Sequence, residues 1–180
     1  MVVDYVKPKG IFASKANISS FAESIAEQLN FEAGDSIEEL IERVGGNLVV
    51  GSSGNGDGES GSIVAKDTDD FTIYVSRHTS LARDKFTIAH ELGHLLLHLG
   101  PIKAANPDAI MRATRWVDET DNDQKRAEWE ANWFAASFLM PSKAFTEYFN
   151  ENGPSSTAKK FGVSVKAAQT RAKSLQLIAD

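Results

Sequence analysis

Two histidines and a glutamate within five consecutive residues are the part of this sequence best suited to chemistry. Residues 90–94 read HELGH, so His90 and His94 are four positions apart and Glu91 follows the first of them. On an α-helix, residues four apart differ by about 40° in azimuth and about 6 Å along the axis, so both imidazoles can reach one ion. Glu91 lies about 100° round the helix, where it can act on water held by that ion. The spacing predicts a zinc site with His90 and His94 as ligands and Glu91 as the general base.

The competing interpretation is a core helix whose histidines bond to carbonyl groups. The pattern from residue 81 to residue 99 is helical and nearly apolar on every side, which is typical of a buried helix, and Gly100-Pro101 is expected to end it. Three ionisable groups buried within one turn are costly without a cation, which favours the metal site. Gly93 leaves room beside the site for a substrate strand or a packed neighbour.

A third ligand is needed, because catalytic zinc takes three protein donors and leaves one position open. The best donors lie on a second long helix, predicted from about residue 124 to residue 139, where Glu128 and Asn132 share a face. We expect Glu128 to bind the ion and Asn132 to hydrogen-bond a ligand histidine. Glu130 points about 200° away from Glu128, so only one of the two can ligate, and Glu130 has the apolar Phe134 four positions on. The alternative is that both glutamates lie on the surface.

The remaining histidines and acidic residues have simpler interpretations. His98 lies eight positions after His90, about 80° further round the helix, and is predicted to be a capped or core histidine. His78 is predicted to lie in a loop. The acidic residues 118–123 are expected to form a solvated loop and a helix N-terminus, because they lack the spacing of a calcium loop. The sequence does not identify the residue that stabilises the oxyanion, and the candidates are an Arg, His or Tyr from residues 101–120.

Periodicity and turn residues predict a mixed α and β chain. The predicted helices cover residues 17–30, 36–44, 81–99, 124–139, 142–149, 156–161 and 164–177. The predicted strands cover residues 47–50, 62–66 and 71–76. Residues 51–62 are predicted to form a Gly/Ser-rich loop, residues 102–120 are predicted to be irregular, and Gly153-Pro154 is expected to break the chain.

Composition narrows the class of protein. The 180 residues include no cysteine, so a metal must use His, Asp or Glu, and no segment resembles a signal peptide or a membrane span, which places the protein in the cytoplasm. The net charge of −6 argues against general nucleic-acid binding. Residues 155–180 differ, with five cations against Asp180 alone. We interpret them as a basic helical segment packed on the same domain, rather than as a DNA-binding helix-turn-helix.

Three stretches together resemble the ImmA/IrrE family of metallo-endopeptidases. They are residues 85–98 (KFTIAHELGHLLLH), 128–141 (EWEANWFAASFLMP) and 158–164 (AKKFGVS), with the strand 71–76 ahead of them, and the likeness covers roughly residues 36–178. The resemblance implies a zincin-like α+β fold: a small, three-stranded, mostly antiparallel sheet packed on the H-E-x-x-H helix and a second ligand helix. We expect a metallopeptidase core over residues 1–154 and a helical C-terminus over 155–180.

The resemblance also implies one zinc ion per chain, held by His90, His94 and Glu128, with Glu91 as the base. Members of the family cleave or help to remove helix-turn-helix repressors in stress responses, mobile-element induction and toxin–antitoxin-like pairs. The expected partner is therefore such a repressor, as substrate or antitoxin. A second hypothesis is a non-catalytic regulator that binds a repressor or DNA and keeps zinc for structure. Replacing Glu91 by Gln separates the two hypotheses.

Overall fold

Six helices and one five-stranded sheet form an α+β fold in the computed structural model, which describes residues 3–51, 62–76, 80–114 and 116–179. The predicted α+β class is confirmed. In chain order the elements are β1 (Tyr5–Val6), α1 (Lys15–Gln28), α2 (Ile37–Arg43), β2 (Gly46–Val50), β3 (Ser62–Asp67), β4 (Asp70–Val75), α3 (Leu81–Ala105), β5 (Ile110–Ala113), α4 (Asn122–Leu139), α5 (Ser142–Phe161) and α6 (Val165–Ser174).

The sheet has the strand order β1-β5-β3-β4-β2, so the prediction of three strands was wrong. Strand β3 pairs antiparallel with β4 and β5, whereas β1–β5 and β2–β4 are parallel pairs, so the sheet is not mostly antiparallel either. The two strands missed from the sequence are the shortest, with two residues in β1 and four in β5. Alternation over so few residues gives no period to detect, and pairing with neighbouring strands determines their conformation.

Side-chain caps fix where the site helices begin. The Ser80 side chain accepts a hydrogen bond from the Arg83 N–H at the start of α3, and Asp121 accepts from the N–H groups of Asp123 and Gln124 at the start of α4. Each cap satisfies amide donors that the helix itself leaves unpaired. Ser36 likewise caps α2, accepting a hydrogen bond from the Glu39 N–H.

The two Gly-Pro sequences affect their helices differently. Helix α3 does not end at Gly100-Pro101 but continues to Ala105, closed by a hydrogen bond from the Asn106 N–H to the Ile102 carbonyl. Proline removes one amide donor from this turn, and Gly100 and Pro101 are both exposed, so the neighbouring carbonyls have access to water. In α5 the predicted break is a kink at Gly153, which has φ 74° and ψ 179°.

Helix α3 is the centre of the fold. It packs against α4 on one side and against α2, β3, β4 and β5 on others, which buries most of its length.

The last helix, α6, packs on α5, and its Arg171 is buried and hydrogen-bonds the Met140 carbonyl and Glu23. The division into residues 1–154 and 155–180 stays a prediction. In the part of the chain that the structure describes, no helix is both long and apolar enough to cross a bilayer.

Candidate metal centre

Glycine at position 93 allows the two site helices to come unusually close. A Cβ atom placed on Gly93 would lie 3.1 Å from Phe134 Cβ and 3.2 Å from both the Cα and the carbonyl oxygen of Ala131. These separations are shorter than ordinary van der Waals contact between carbon atoms. The sequence predicted room beside Gly93 for a substrate strand or for a packed neighbour. In the structure a neighbour, helix α4, packs there. The close approach brings the Glu128 and Asn132 side chains to the histidines of α3.

Three metal-binding side chains meet between α3 and α4. The Nε2 atoms of His90 and His94 are 3.1 Å apart, and Glu128 places one carboxylate oxygen 3.1 Å from His90 Nε2 and the other 3.0 Å from His94 Nε2. Two ligands of a tetrahedral zinc ion with bonds of about 2.0–2.1 Å are separated by about 3.3 Å. The observed triangle therefore fits such an ion after adjustments of a few tenths of an ångström. Among the described residues, His90, His94 and Glu128 form the cluster of side chains whose ligand atoms lie close enough together to share a metal ion.

The outer nitrogen of His90 is held by Asn132. His90 Nδ1 lies 2.9 Å from Asn132 Oδ1, which can only accept a hydrogen bond. Nδ1 of a neutral His90 therefore carries the proton, and its Nε2 presents a lone pair to the triangle. The structure thus brings Asn132 to the position that the sequence predicted, against a candidate ligand histidine.

The outer nitrogen of His94 is held by a chain of two buried side chains. His94 Nδ1 lies 3.1 Å from His98 Nδ1, and His98 Nε2 lies 2.9 Å from a carboxylate oxygen of Glu130. An ionised carboxylate only accepts, so His98 Nε2 donates, and Nδ1 of a neutral His98 must accept the proton of His94 Nδ1. This leaves the lone pair of His94 on Nε2. Both imidazoles therefore aim lone pairs at the carboxylate of Glu128, an arrangement that a bound cation stabilises.

Glu130 is neither a metal ligand candidate nor a surface residue in this structure. Its side chain is completely buried, and its two oxygens accept from the Ile11 and Phe12 amides, Arg126 Nε and His98 Nε2 at 2.8–2.9 Å. The alternative that both glutamates lie on the surface is wrong for Glu130, because the N-terminal segment, residues 10–13, covers it. Its charge is balanced by Arg126, whose Nη2 also bonds the Ala13 carbonyl.

Glu91 is the third unusual group on the H-E-x-x-H turn. The residue is only 3% exposed, and among the described residues its Oε2 atom has no hydrogen-bond partner. Burial raises the pKa of Glu91 to about 8, with the nearby Glu128 acting in the same direction and His90 against it. An unpaired buried carboxyl oxygen is costly to fold around and marks a candidate functional group.

Comparison with known proteins agrees with this geometry. The family model described as the IrrE N-terminal-like domain, a family of peptidases, matches residues 56–173. The chain belongs to this family. The match includes both site helices and the whole HELGH turn, so the resemblance found from the motifs is confirmed. Among curated proteins, none matches the chain significantly.

A solved structure has a similar fold. One similar chain is a transcriptional regulator of Mycobacterium tuberculosis, with a TM-score of 0.59, 17% sequence identity and 87% of the present chain covered. At that identity the likeness concerns the fold alone. The present chain spans 47% of the regulator, so what the rest of that protein does has no counterpart in the residues compared.

Electrostatics at this IrrE-like site favour a positive charge between the ligand candidates. Burial acts to raise the pKa of Glu128, but the two histidine side chains beside its carboxylate outweigh burial and hold that pKa well below its usual range. Burial lowers the pKa of His94 to about 4. For His90 burial also lowers the pKa, but the hydrogen bond to Glu128 and the charges of Glu91 and Glu128 outweigh it, and the pKa rises. Burial lowers the pKa of His98, as the neutral form assigned above requires.

Other predicted features lie near the site or outside the described residues. Arg112, from the stretch expected to supply the oxyanion-stabilising group, is on β5 and lines a small pocket together with Glu128, Trp116 and Lys7. His78 and most of the Gly/Ser-rich loop lie outside the residues that the structure describes. The His98–Glu130 pair was missed as part of the site, although the i,i+4 spacing of His94 and His98 could have indicated it.

Proposed function

We propose that this protein is a zinc-dependent endopeptidase of zincin-like architecture. One observation carries the proposal: two imidazole lone pairs and a carboxylate converge at 3.0–3.1 Å, close to the buried Glu91, whose Oε2 has no hydrogen-bond partner among the described residues. A donor set of two histidines and one glutamate is typical of catalytic zinc in peptidases. The membership of a peptidase family supports the same reaction class.

The roles of the residues follow from their positions. His90, His94 and Glu128 would hold the ion, and a zinc ion bound there supplies Lewis acidity, polarising the scissile carbonyl and lowering the pKa of its water to about 7. Glu91 Oε2 accepts the proton of the attacking water and delivers it to the leaving amine nitrogen. Burial raises the pKa of Glu91 in the metal-free protein, whereas the positive charge of a bound ion would lower it and favour the ionised carboxylate that a base needs. Asn132 and His98 keep the two imidazoles in the ligating tautomer.

The proposed substrate is a helix-turn-helix transcriptional repressor, in a stress-response, mobile-element or toxin–antitoxin-like system. The support is the family and the likeness of the fold to a protein named as a transcriptional regulator. A small helix-turn-helix protein encoded beside this chain is the first substrate to test.

The decisive experiment compares the wild type with Glu91→Gln. Metal analysis should find one zinc per chain in both proteins, because Glu91 is not a ligand, and His94→Ala should lose the metal. Incubation with the neighbouring repressor should yield discrete fragments with the wild type and none with Glu91→Gln. Release of the repressor from DNA that survives Glu91→Gln would instead support the non-catalytic regulator.

A further inference from the structure

A large groove lies beside the metal centre. The cavity, of about 710 Å³, lies between α3, α4 and α6, and we call it the α3–α6 groove. Its lining reaches the metal centre at Asn132, the residue that holds His90. Phe86 and Thr87, in the turn of α3 before His90, form one wall, and Trp133 begins the other. A peptide whose scissile bond lies at the triangle of ligand atoms can therefore extend directly into this groove.

Apolar side chains form the body of the groove. They are supplied by Phe86, Trp133, Ala136, Met140 and Ala167. From residue 132 to residue 140 the groove follows α4 over about 12 Å, which is the length of three to four residues of extended peptide. The groove is therefore long enough to contact several side chains next to the scissile bond.

The charged side chains that line the groove are all cationic. Its lining includes Lys15, Arg83, Lys166 and Arg171, and no aspartate or glutamate, on a chain whose net charge is −6. Arg171 is paired with Glu23. Within the described ranges Lys15 and Lys166 form no ion pair, and Lys15 donates only to Ser174 Oγ. The free cations therefore present a positive field to whatever enters, against the negative charge of the protein as a whole.

We propose that the α3–α6 groove binds an acidic segment of the substrate protein next to the scissile bond, with an apolar side chain in its body. The inference rests on the proposed peptidase function, since it assigns the substrate class of that site. Acidic side chains would lie near Arg83 and Lys166 at the rim, and an aliphatic or aromatic side chain between Phe86 and Trp133. Charge complementarity of this kind selects partners more than it tightens binding.

The test uses three internally quenched peptides with the same apolar centre, flanked on both sides by Glu, Gln or Lys. Wild-type protein should cleave the Glu-flanked peptide with kcat/KM at least about tenfold above the Lys-flanked one, because each of two or three exposed pairs changes affinity by up to about fivefold. The preference should shrink at 1 M salt, where the Debye length is about 3 Å. Equal kcat/KM for all three peptides would overturn the inference and leave the peptidase intact.

Charge reversal gives the sharper result. The double variant Arg83→Glu/Lys166→Glu should prefer the Lys-flanked peptide. Lys103→Glu is the matched control, because Lys103 is near the far end of α3, about 30 Å from Arg83 along the helix and outside the groove. It should keep the wild-type preference. A double variant that still prefers the Glu-flanked peptide would refute the assignment.

Binding separates the inference from the proposed function. Should the wild type cleave no peptide, the endopeptidase proposal loses support, and the groove is then tested by fluorescence anisotropy of the labelled peptides with Glu91→Gln. Tighter binding of the Glu-flanked peptide, lost in the double variant, supports the groove; equal binding of the Glu- and Lys-flanked peptides refutes it. A random DNA duplex that displaces the peptide would assign the groove to nucleic acid and overturn the proposal.

Discussion

Replacing His98 by Leu should weaken metal binding although His98 is not a ligand. Leucine fills a similar volume but accepts no hydrogen bond, so the buried Nδ1–H of His94 loses the acceptor that His98 provides. Free to change tautomer, His94 no longer presents its Nε2 lone pair at all times. Loss of such an outer hydrogen bond typically lowers metal affinity 10–100-fold, and one buried unpaired donor costs about 1–3 kcal/mol of stability.

The assay is competition for zinc with a chromophoric chelator, alongside chemical denaturation of the same samples. Arg126→Met is the matched control, because it breaks the ion pair with Glu130 and the bond to the Ala13 carbonyl but leaves the His98–Glu130 hydrogen bond in place. We expect Arg126→Met to lower stability with little change in zinc affinity. Unchanged zinc affinity in folded His98→Leu, or an equal loss in Arg126→Met, would refute the reasoning.

Three other changes test the rest of the site. Gly93→Ala should lower the free energy of unfolding by about 1–3 kcal/mol, measured by denaturation, because its Cβ would lie 3.1 Å from Phe134 Cβ. Asn132→Leu should raise the dissociation constant for zinc about tenfold or more in the chelator assay, since His90 Nδ1 loses its acceptor. In chelator-stripped protein, Glu91 keeps its proton in the folded state up to about pH 8 but loses it near pH 4.5 when unfolded. Its contribution to stability therefore falls as the pH rises between these values, by up to about 1.4 kcal/mol per pH unit, and denaturation of Glu91→Gln should lack that slope.

The sequence predicted those parts of the site that lie on one regular helix. His90, Glu91 and His94 are related by helical geometry alone, and α4 was expected as a long helix with Glu128 and Asn132 on one face. The choice of Glu128 over Glu130 rested on a polar residue four positions later, and the structure places Glu128 in the triangle. These relations are local, so the spacing of residues carries them.

The parts that were missed depend on contacts between distant segments. Glu130 is buried by residues more than a hundred positions earlier, through the amides of Ile11 and Phe12, and no local pattern encodes that contact. Strands β1 and β5 are likewise formed by pairing across the sheet rather than by their own sequences. Helix α3 continues past Pro101 because its last turn is exposed. Proline ends a helix where the carbonyl group that loses its amide donor cannot bond to water instead, and here water has access.

The hydrogen bonds around the triangle orient the two imidazoles before an ion binds. The lone pair of His90 is set by Asn132 on α4, and that of His94 by His98 on its own helix, which Glu130 fixes in turn. Glu130 can do so only because the N-terminal segment and Arg126 satisfy its remaining lone pairs. Since both imidazoles are held by hydrogen-bonded partners, they lose little conformational freedom on binding, and more of the interaction with the ion remains as affinity. An H-E-x-x-H turn grafted onto a helix without these partners would therefore bind zinc more weakly than this protein.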